Sequence, residues 1–310
     1  MRTFLKAVAV LLLAAVAALA GLALLAPARF AELAMDGERA AAGLHRAQTD
    51  IPGFHIVYLE GGHGEPLLLL HGFGADKDNW TRVSRYLTRH FHVIAPDLPG
   101  FGESGKAAEA DYGIPAQTAR IAQLAEALHL QHFDLGGNSM GGWLAAAYAA
   151  AHPQQVRSLW LLAPAGVAGA QPSELFKRVS AGGDNPLLVR TPAQFRSLMD
   201  FVFVKPPFVP GAVLQVLAQR RADNYALEQK IFGQLLASPP LEPQVAGLAT
   251  PAVIVWGDQD RALDVSGAAI LHKLMPQSQV RIVRQMGHAP MIEAPRATAE
   301  DYLRFRAELH

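Results

Sequence analysis

Positions 7–26 carry no charge or strongly polar side chain and follow Arg2 and Lys6. As a helix, that run would be about 30 Å long, the thickness of the hydrocarbon core of a bilayer. Positions 28–47 then set Phe30, Leu33, Ala34, Ala41 and Leu44 among Glu32, Asp36, Glu38, Arg39 and Arg46, the pattern of an amphipathic helix. Beyond Pro52 the period changes. Short β-rich runs at 55–59, 66–70, 92–95, 133–136 and 156–162 alternate with helical stretches at 78–88, 115–128 and 141–151, and two later strands fall at 252–256 and 279–283. This alternation predicts an α/β fold with a mostly parallel central sheet flanked by helices. Between Ala163 and Thr250 the strand pattern stops, and helices interrupted by Pro206-Pro207 and Pro239-Pro240 predict an inserted cap. One cap helix has a marked start: Thr191 as N-cap, Pro192 in the first turn and Gln194 completing a capping box. The chain divides into residues 1–28 (anchor or signal), 29–50 (amphipathic helix), 51–165 and 249–310 (two parts of the core) and 166–248 (helical cap or lid).

Two readings of the N-terminus stand. A transmembrane anchor would make this a single-pass membrane protein with the bilayer as partner. Positive residues ahead of the run would keep the N-terminus cytoplasmic and place the rest outside, in the periplasm of a bacterium. Alternatively the segment is a signal peptide cut at Ala26-Pro27-Ala28, and the remainder is secreted. Ala17 and Gly21 form a small-xxx-small pair through which two such helices could meet in a homodimer.

Composition narrows the chemistry. With 51% apolar residues in 310, the chain can bury a large core, which excludes a disordered or fibrous protein. Lys plus Arg (27) balances Asp plus Glu (27) with no block of one sign, so there is no field to hold nucleic acid. The absence of cysteine removes disulfides, thiolate metal sites and a cysteine nucleophile. The histidines show no metal-ligand spacing, and neither a metal nor another cofactor is expected.

Gly137-Asn138-Ser139-Met140-Gly141 lies between a predicted strand and a predicted helix, the context in which G-x-S-x-G presents a nucleophile. A serine at so tight a turn sits on strained backbone and needs neighbours without side chains two residues away. The plainer reading is a Gly-Ser-Gly turn that only connects strand to helix. His71-Gly72-Phe73-Gly74 follows the apolar strand at 66–70, where a glycine-rich loop can present a backbone N–H to an oxyanion. The N–H groups of Phe73 and Met140 would then form an oxyanion hole, with His71 a structural hydrogen-bonding residue.

Together with Asp97-Leu98-Pro99-Gly100-Phe101-Gly102-Glu103-Ser104, a D-x-P-G-x-G-x-S turn, these motifs resemble the α/β-hydrolase superfamily from about Pro52 to the C-terminus. Gly257-Asp258-Gln259-Asp260 resembles the family's acid loop, and Gly287-His288-Ala289-Pro290 its histidine loop, in the family's order Ser, Asp, His. The resemblance implies a catalytic triad with Ser139 as nucleophile, His288 as general base and Asp260 as orienting acid. Asp258 is the rival acid. The proline common after the acid is absent, with Leu263 and Asp264 in that region. An ester hydrolase working through an acyl-enzyme is expected.

The cap holds Phe195, Leu198, Met199, Phe201, Val202, Phe203 and Val204, more apolar bulk than a surface helix requires. Phe195, Met199 and Phe203 are acyl-pocket candidates, although a helix buries one face in any case. With the N-terminal run and the 71–80 loop, the cap resembles the membrane-bound monoacylglycerol lipase branch and related bacterial lipases and phospholipases A. That implies glycerolipid or other fatty-acyl esters as substrates. Two alternatives remain: a carbon–carbon bond hydrolase of ring-cleavage products on the same fold, and a non-catalytic, membrane-tethered binding protein.

Overall fold

A computed structural model of the chain describes residues 1–309, apart from the side chains at positions 10, 12, 15, 16 and 18. Among the described residues, eight strands form one sheet: β1 (Leu44–Ile51), β2 (Phe54–Gly61), β3 (Glu65–Leu70), β4 (Phe91–Pro96), β5 (Phe133–Asn138), β6 (Val156–Leu162), β7 (Ala252–Gly257) and β8 (Ser278–Val283). Their order is β1-β2-β4-β3-β5-β6-β7-β8. The β1–β2 and β2–β4 pairs are antiparallel and the remaining pairs parallel. Alternate residues of the central strands feed two cores, as the pleat requires. Leu68 and Leu70 face Ile121, Leu124, Leu144 and Leu271. Leu67 and Leu69 face Val83, Leu87, Tyr302 and Phe305 on the other side.

Helices α1 (Arg2–Leu25) and α2 (Pro27–Ala41) precede the sheet, and α3 (Thr81–Leu87), α4 (Ile114–Ala127) and α5 (Met140–Ala151) link its strands. Five more, α6 (Glu174–Ser180), α7 (Pro192–Val202), α8 (Gly211–Asp223), α9 (Tyr225–Leu236) and α10 (Glu242–Val245), fall between β6 and β7, where the cap was expected. The last three are α11 (Ser266–Leu274), α12 (Pro290–Glu293) and α13 (Pro295–Ala307). The marked helix start appears with one change: Thr191 Oγ1 accepts from Gln194 N at 3.3 Å, but Gln194 Oε1 takes the N–H of Arg190 at 2.7 Å, one residue before the N-cap.

Two expectations are corrected. The amphipathic helix expected over residues 29–50 stops at Ala41, and Gly43 (φ +71°) turns the chain into β1. Leu44, counted in that helix's apolar pattern, lies instead on an edge strand whose register is set by eight pairs with β2. Pro52-Gly53 closes that hairpin, with Gly53 at φ +82° as a type II turn requires. The transmembrane expectation is met only as a helix. The 24-residue α1 exposes Phe4, Leu11, Leu13, Leu24 and Leu25, yet among the described residues no helix is long and apolar enough to cross a membrane. The expected span runs over positions 10, 12, 15, 16 and 18 and so lies partly outside the described residues.

Candidate active site

Ser139 stands between β5 and α5 with φ 57° and ψ −119°, a strained conformation for a residue with a side chain. The turn is held by Ser139 N donating to Leu162 O (3.0 Å) and by Trp143 N and Ala165 N donating to Ser139 O (3.0 and 2.9 Å). Its glycines are there for backbone packing. A Cβ at Gly137 would lie 2.1 Å from Gly141 O, and one at Gly141 would lie 2.1 Å from Leu70 O. The serine itself is partly exposed.

The acid and histidine loops meet at the ends of β7 and β8. His288 Nδ1 lies 2.7 Å from Asp260 Oδ2, while Asp260 Oδ1 accepts from Ala262 N (2.8 Å) and Leu263 N (3.0 Å). The Asp260 side chain is fully buried and that of His288 nearly so. With Nδ1 engaged by the carboxylate, Nε2 is the ring nitrogen left to exchange a proton. Asp258 is exposed and, among the described residues, its carboxylate receives only Met286 N at 3.4 Å, so the geometry pairs Asp260, not its rival, with the imidazole. Glycine is needed here too, since a Cβ at Gly257 would sit 2.3 Å from the carbonyl oxygens of Met286 and Gly287.

Two further residues bind these loops together. Asn138 Nδ2 donates to Leu162 O and to His288 O, both at 3.0 Å, so the residue before Ser139 grips the histidine loop. Glu293 on α12 accepts from Gly287 N (3.2 Å), Val204 N (3.2 Å) and Lys205 N (3.0 Å), and His288 N donates to Val202 O (2.8 Å). The C-terminal end of α7 is thereby fastened to the histidine loop. Asn138 occupied a variable position of the serine motif and Glu293 no motif, so the sequence marked neither.

The loop at 71–74 passes directly beside the serine, where a Cβ on Gly72 would come within 3.2 Å of Ser139 Cβ. Met140 opens α5, in the first turn where N–H groups lack intrahelical acceptors. Burial pushes the His71 imidazole down to about 4 and keeps it neutral, with Nδ1 2.7 Å from Gly72 O and Nε2 receiving Leu98 N at 3.0 Å. It is a structural residue, as expected. Asp97, the acid of the D-x-P-G turn, is buried and accepts from Lys77 N and Glu103 N, both at 2.7 Å, and from Lys77 Nζ at 2.9 Å. Burial opposes the charge on Lys77, but Asp97, Asp76 and Asp78 outweigh it and raise the ammonium's pKa.

The acyl-pocket candidates separate. Phe195 packs with Val189, Leu198 and Ala218 in a small core of the inserted helices, a role any amphipathic helix demands. Met199 borders both that core and the one under the sheet, and Phe203 belongs to the latter. Phe203 also lines a cleft of about 520 Å³ beside the Asp260 loop. Glu174, Lys177, Asp200, Arg261 and Asp264 share its wall, and the lining includes neither Ser139 nor His288. Its charge suits it poorly to an acyl chain.

Known proteins share this architecture. The chain is 42% identical over 269 residues to Lipase 1 of Psychrobacter immobilis, covering 85% of this chain and 84% of that one. It is 34% identical over 260 residues to monoacylglycerol lipase ABHD6 of Rattus norvegicus, covering 80% and 77%. The crystal structure of a membrane phospholipase A, described as a bacterial virulence factor, superposes with a TM-score of 0.90 at 43% identity, covering 100% of this chain and 99% of that one. A meta-cleavage product hydrolase from Pseudomonas fluorescens, 20% identical with a TM-score of 0.74 over 85% of this chain and 98% of its own, shares the fold alone. The family described as alpha/beta hydrolase fold matches residues 65–295, which take in the serine turn, the acid loop and the histidine loop. Fold, loop order and sequence therefore agree, and the chain belongs to the alpha/beta hydrolase fold family.

Proposed function

We propose that the chain is a serine hydrolase of fatty-acyl esters of glycerolipids, tethered to a membrane by α1. The observation that carries the chemistry is the 2.7 Å contact between His288 and Asp260, in a loop that Asn138, the last residue of β5, ties to the strand just before Ser139. A serine hydroxyl is too weakly acidic to attack an ester unaided. His288 Nε2 takes the proton as Ser139 Oγ bonds to the carbonyl carbon, and Asp260 stabilises the imidazolium that results. The carbonyl oxygen becomes an oxyanion facing the N–H groups of Phe73 and Met140, each contributing about 3 kcal/mol to the transition state. Collapse expels the alcohol, which receives its proton from His288, and leaves the acyl group on Ser139. Water then repeats the sequence and frees the fatty acid.

The substrate class rests on relatives named lipase, monoacylglycerol lipase and phospholipase A. Tethering rests on the apolar run at 7–26 and its preceding positive residues, which support a catalytic part outside the cytoplasm. In this reading the acyl chain passes Met199, at the boundary between the inserted helices and the core.

Hydrolysis of p-nitrophenyl esters of graded length by the full-length protein in detergent, beside Ser139→Ala, tests the proposal. The expected result is turnover that favours medium to long acyl chains and vanishes in the variant. Turnover that survives Ser139→Ala, or no turnover of any ester, would overturn it.

A further inference from the structure

Arg39 lies near the end of α2, the helix that continues from α1, and its side chain is only 7% exposed. A buried guanidinium persists where its donors are used, and these are. Nε and Nη2 reach the two carboxylate oxygens of Asp78 at 2.7 and 2.5 Å, and Nη1 reaches Asp36 at 2.8 Å. This is the bidentate fork that binds a carboxylate in one orientation. Asp78 belongs to the 3₁₀ turn Lys77–Trp80, which directly follows the loop that passes Ser139.

That loop is held at both ends. At its start His71 joins Gly72 O and Leu98 N, and Ala75 N donates to Gly72 O at 3.2 Å. At its end Asp76 Oδ1 accepts Asp78 N at 2.9 Å, while Lys77 is fixed to Asp97 and, at 2.7 Å, to Glu103. All these partners belong to the hydrolase core; the Asp78 side chain is held both from the core, by Thr81 Oγ1 at 3.2 Å, and from α2, by the two-pronged Arg39 fork. The same helix has a second grip through Glu38, which receives Arg82 Nη2 at 3.0 Å; that nitrogen also donates to Phe208 O, between α7 and α8, at 3.0 Å.

We propose that Arg39 is a positioning residue: its bidentate pair with Asp78 sets the loop carrying the Phe73 amide, and so couples the helix next to the proposed membrane anchor to the oxyanion hole. The proposal rests on the ester-hydrolase reading. An oxyanion donor works only if it is in place when charge develops, and an error near 1 Å is expensive. Substrate in its ground state does not depend on that donor, so loss of the pair should lower kcat and leave KM nearly unchanged. A role confined to holding the fold together would reduce the fraction of active protein without this pattern.

The test compares full-length wild type, Arg39→Ala, Arg39→Lys, Asp78→Asn and the Arg39→Ala/Asp78→Asn double variant in detergent with p-nitrophenyl butyrate. Active sites are counted by complete labelling with a fluorophosphonate. An alkylboronic acid, whose tetrahedral adduct places an oxygen in the oxyanion hole, supplies a second readout. For either neutral single variant, kcat per active site should fall about ten- to a hundredfold, with KM within about twofold. The boronate should weaken by the same factor, Arg39→Lys should recover part of the loss, and the double variant should be no worse than the singles. An unchanged kcat per site, a lower kcat with unchanged boronate affinity, or additive losses would each overturn the assignment. If Arg39→Ala does not fold, Arg39→Lys and Asp78→Asn decide by the same pattern. A wild type inactive on every ester would instead sink the hydrolase reading.

Discussion

At the scale of single residues, neighbours decide what each titratable group does. Asp258 and Asp260 are two positions apart on one loop, yet one is exposed while the other is enclosed, with two backbone N–H donors on one oxygen and His288 on the other. His71 is enclosed too, but its ring is spent on Gly72 O and Leu98 N and held neutral by burial, down to about 4 from an ordinary 6.5. Because the folded value is the lower one, His71 contributes stability in full above about pH 6.5, and that contribution is lost as pH falls towards 4. Asp76 beside it has the opposite sign: burial pushes its carboxyl up to about 6, so its contribution is present at low pH and lost as pH rises through that value. Comparison with His71→Asn isolates the histidine. The stability advantage of wild type in urea unfolding should shrink steadily from pH 7 to pH 4.5, and an advantage independent of pH would contradict a neutral buried ring.

At the scale of elements, the chain leaving α7 is fastened to the loop that carries His288. Glu293 joins the chain leaving α7, through Val204 N and Lys205 N, to Gly287 N beside the histidine. Replacing it with alanine would leave three amides without their carboxylate acceptor, at a cost of about 2–4 kcal/mol. Glu293→Ala should therefore lower the urea midpoint and disturb kcat, because His288 N hangs on Val202 O of the same segment. Full activity at an unchanged midpoint would show that the clamp is dispensable. Elements also show how far periodicity can be read. The central strands were legible because they are buried almost throughout and their runs are mostly apolar. β1 was not, because an edge strand with one wet face keeps few apolar positions, and Leu44 was counted with the helix before it.

At the scale of the whole molecule, α2 sits between the apolar N-terminal helix and the hydrolase, packed on α8 and pinned to the core through Arg39. Removing residues 1–25 takes away none of the partners of the Arg39 and Glu38 ion pairs on α2. The truncated protein should hydrolyse p-nitrophenyl butyrate in detergent at a rate close to wild type and lose most of its activity on glycerolipid in vesicles. Equal loss on both substrates would mean that α1 supports the fold and does not deliver the enzyme to its substrate.

The sequence alone determined the fold class and named the serine turn, the acid and histidine loops and the glycine-rich loop. These depend on local conformation and on order along the chain: a strained turn demands glycine two residues to either side, and an apolar strand declares itself by its own run. What only the tertiary structure decided was every relation across the chain. The family's spacing favoured Asp260 over Asp258, but its 2.7 Å contact with His288, 28 residues on, exists only in the fold. Phe195 became core because the neighbouring helices enclosed it. Arg39, 39 residues from Asp78, carried no mark in a pattern of charges that suited any solvated helix face. A buried ion pair exists only once both halves have been brought out of water together, and no local pattern records that event.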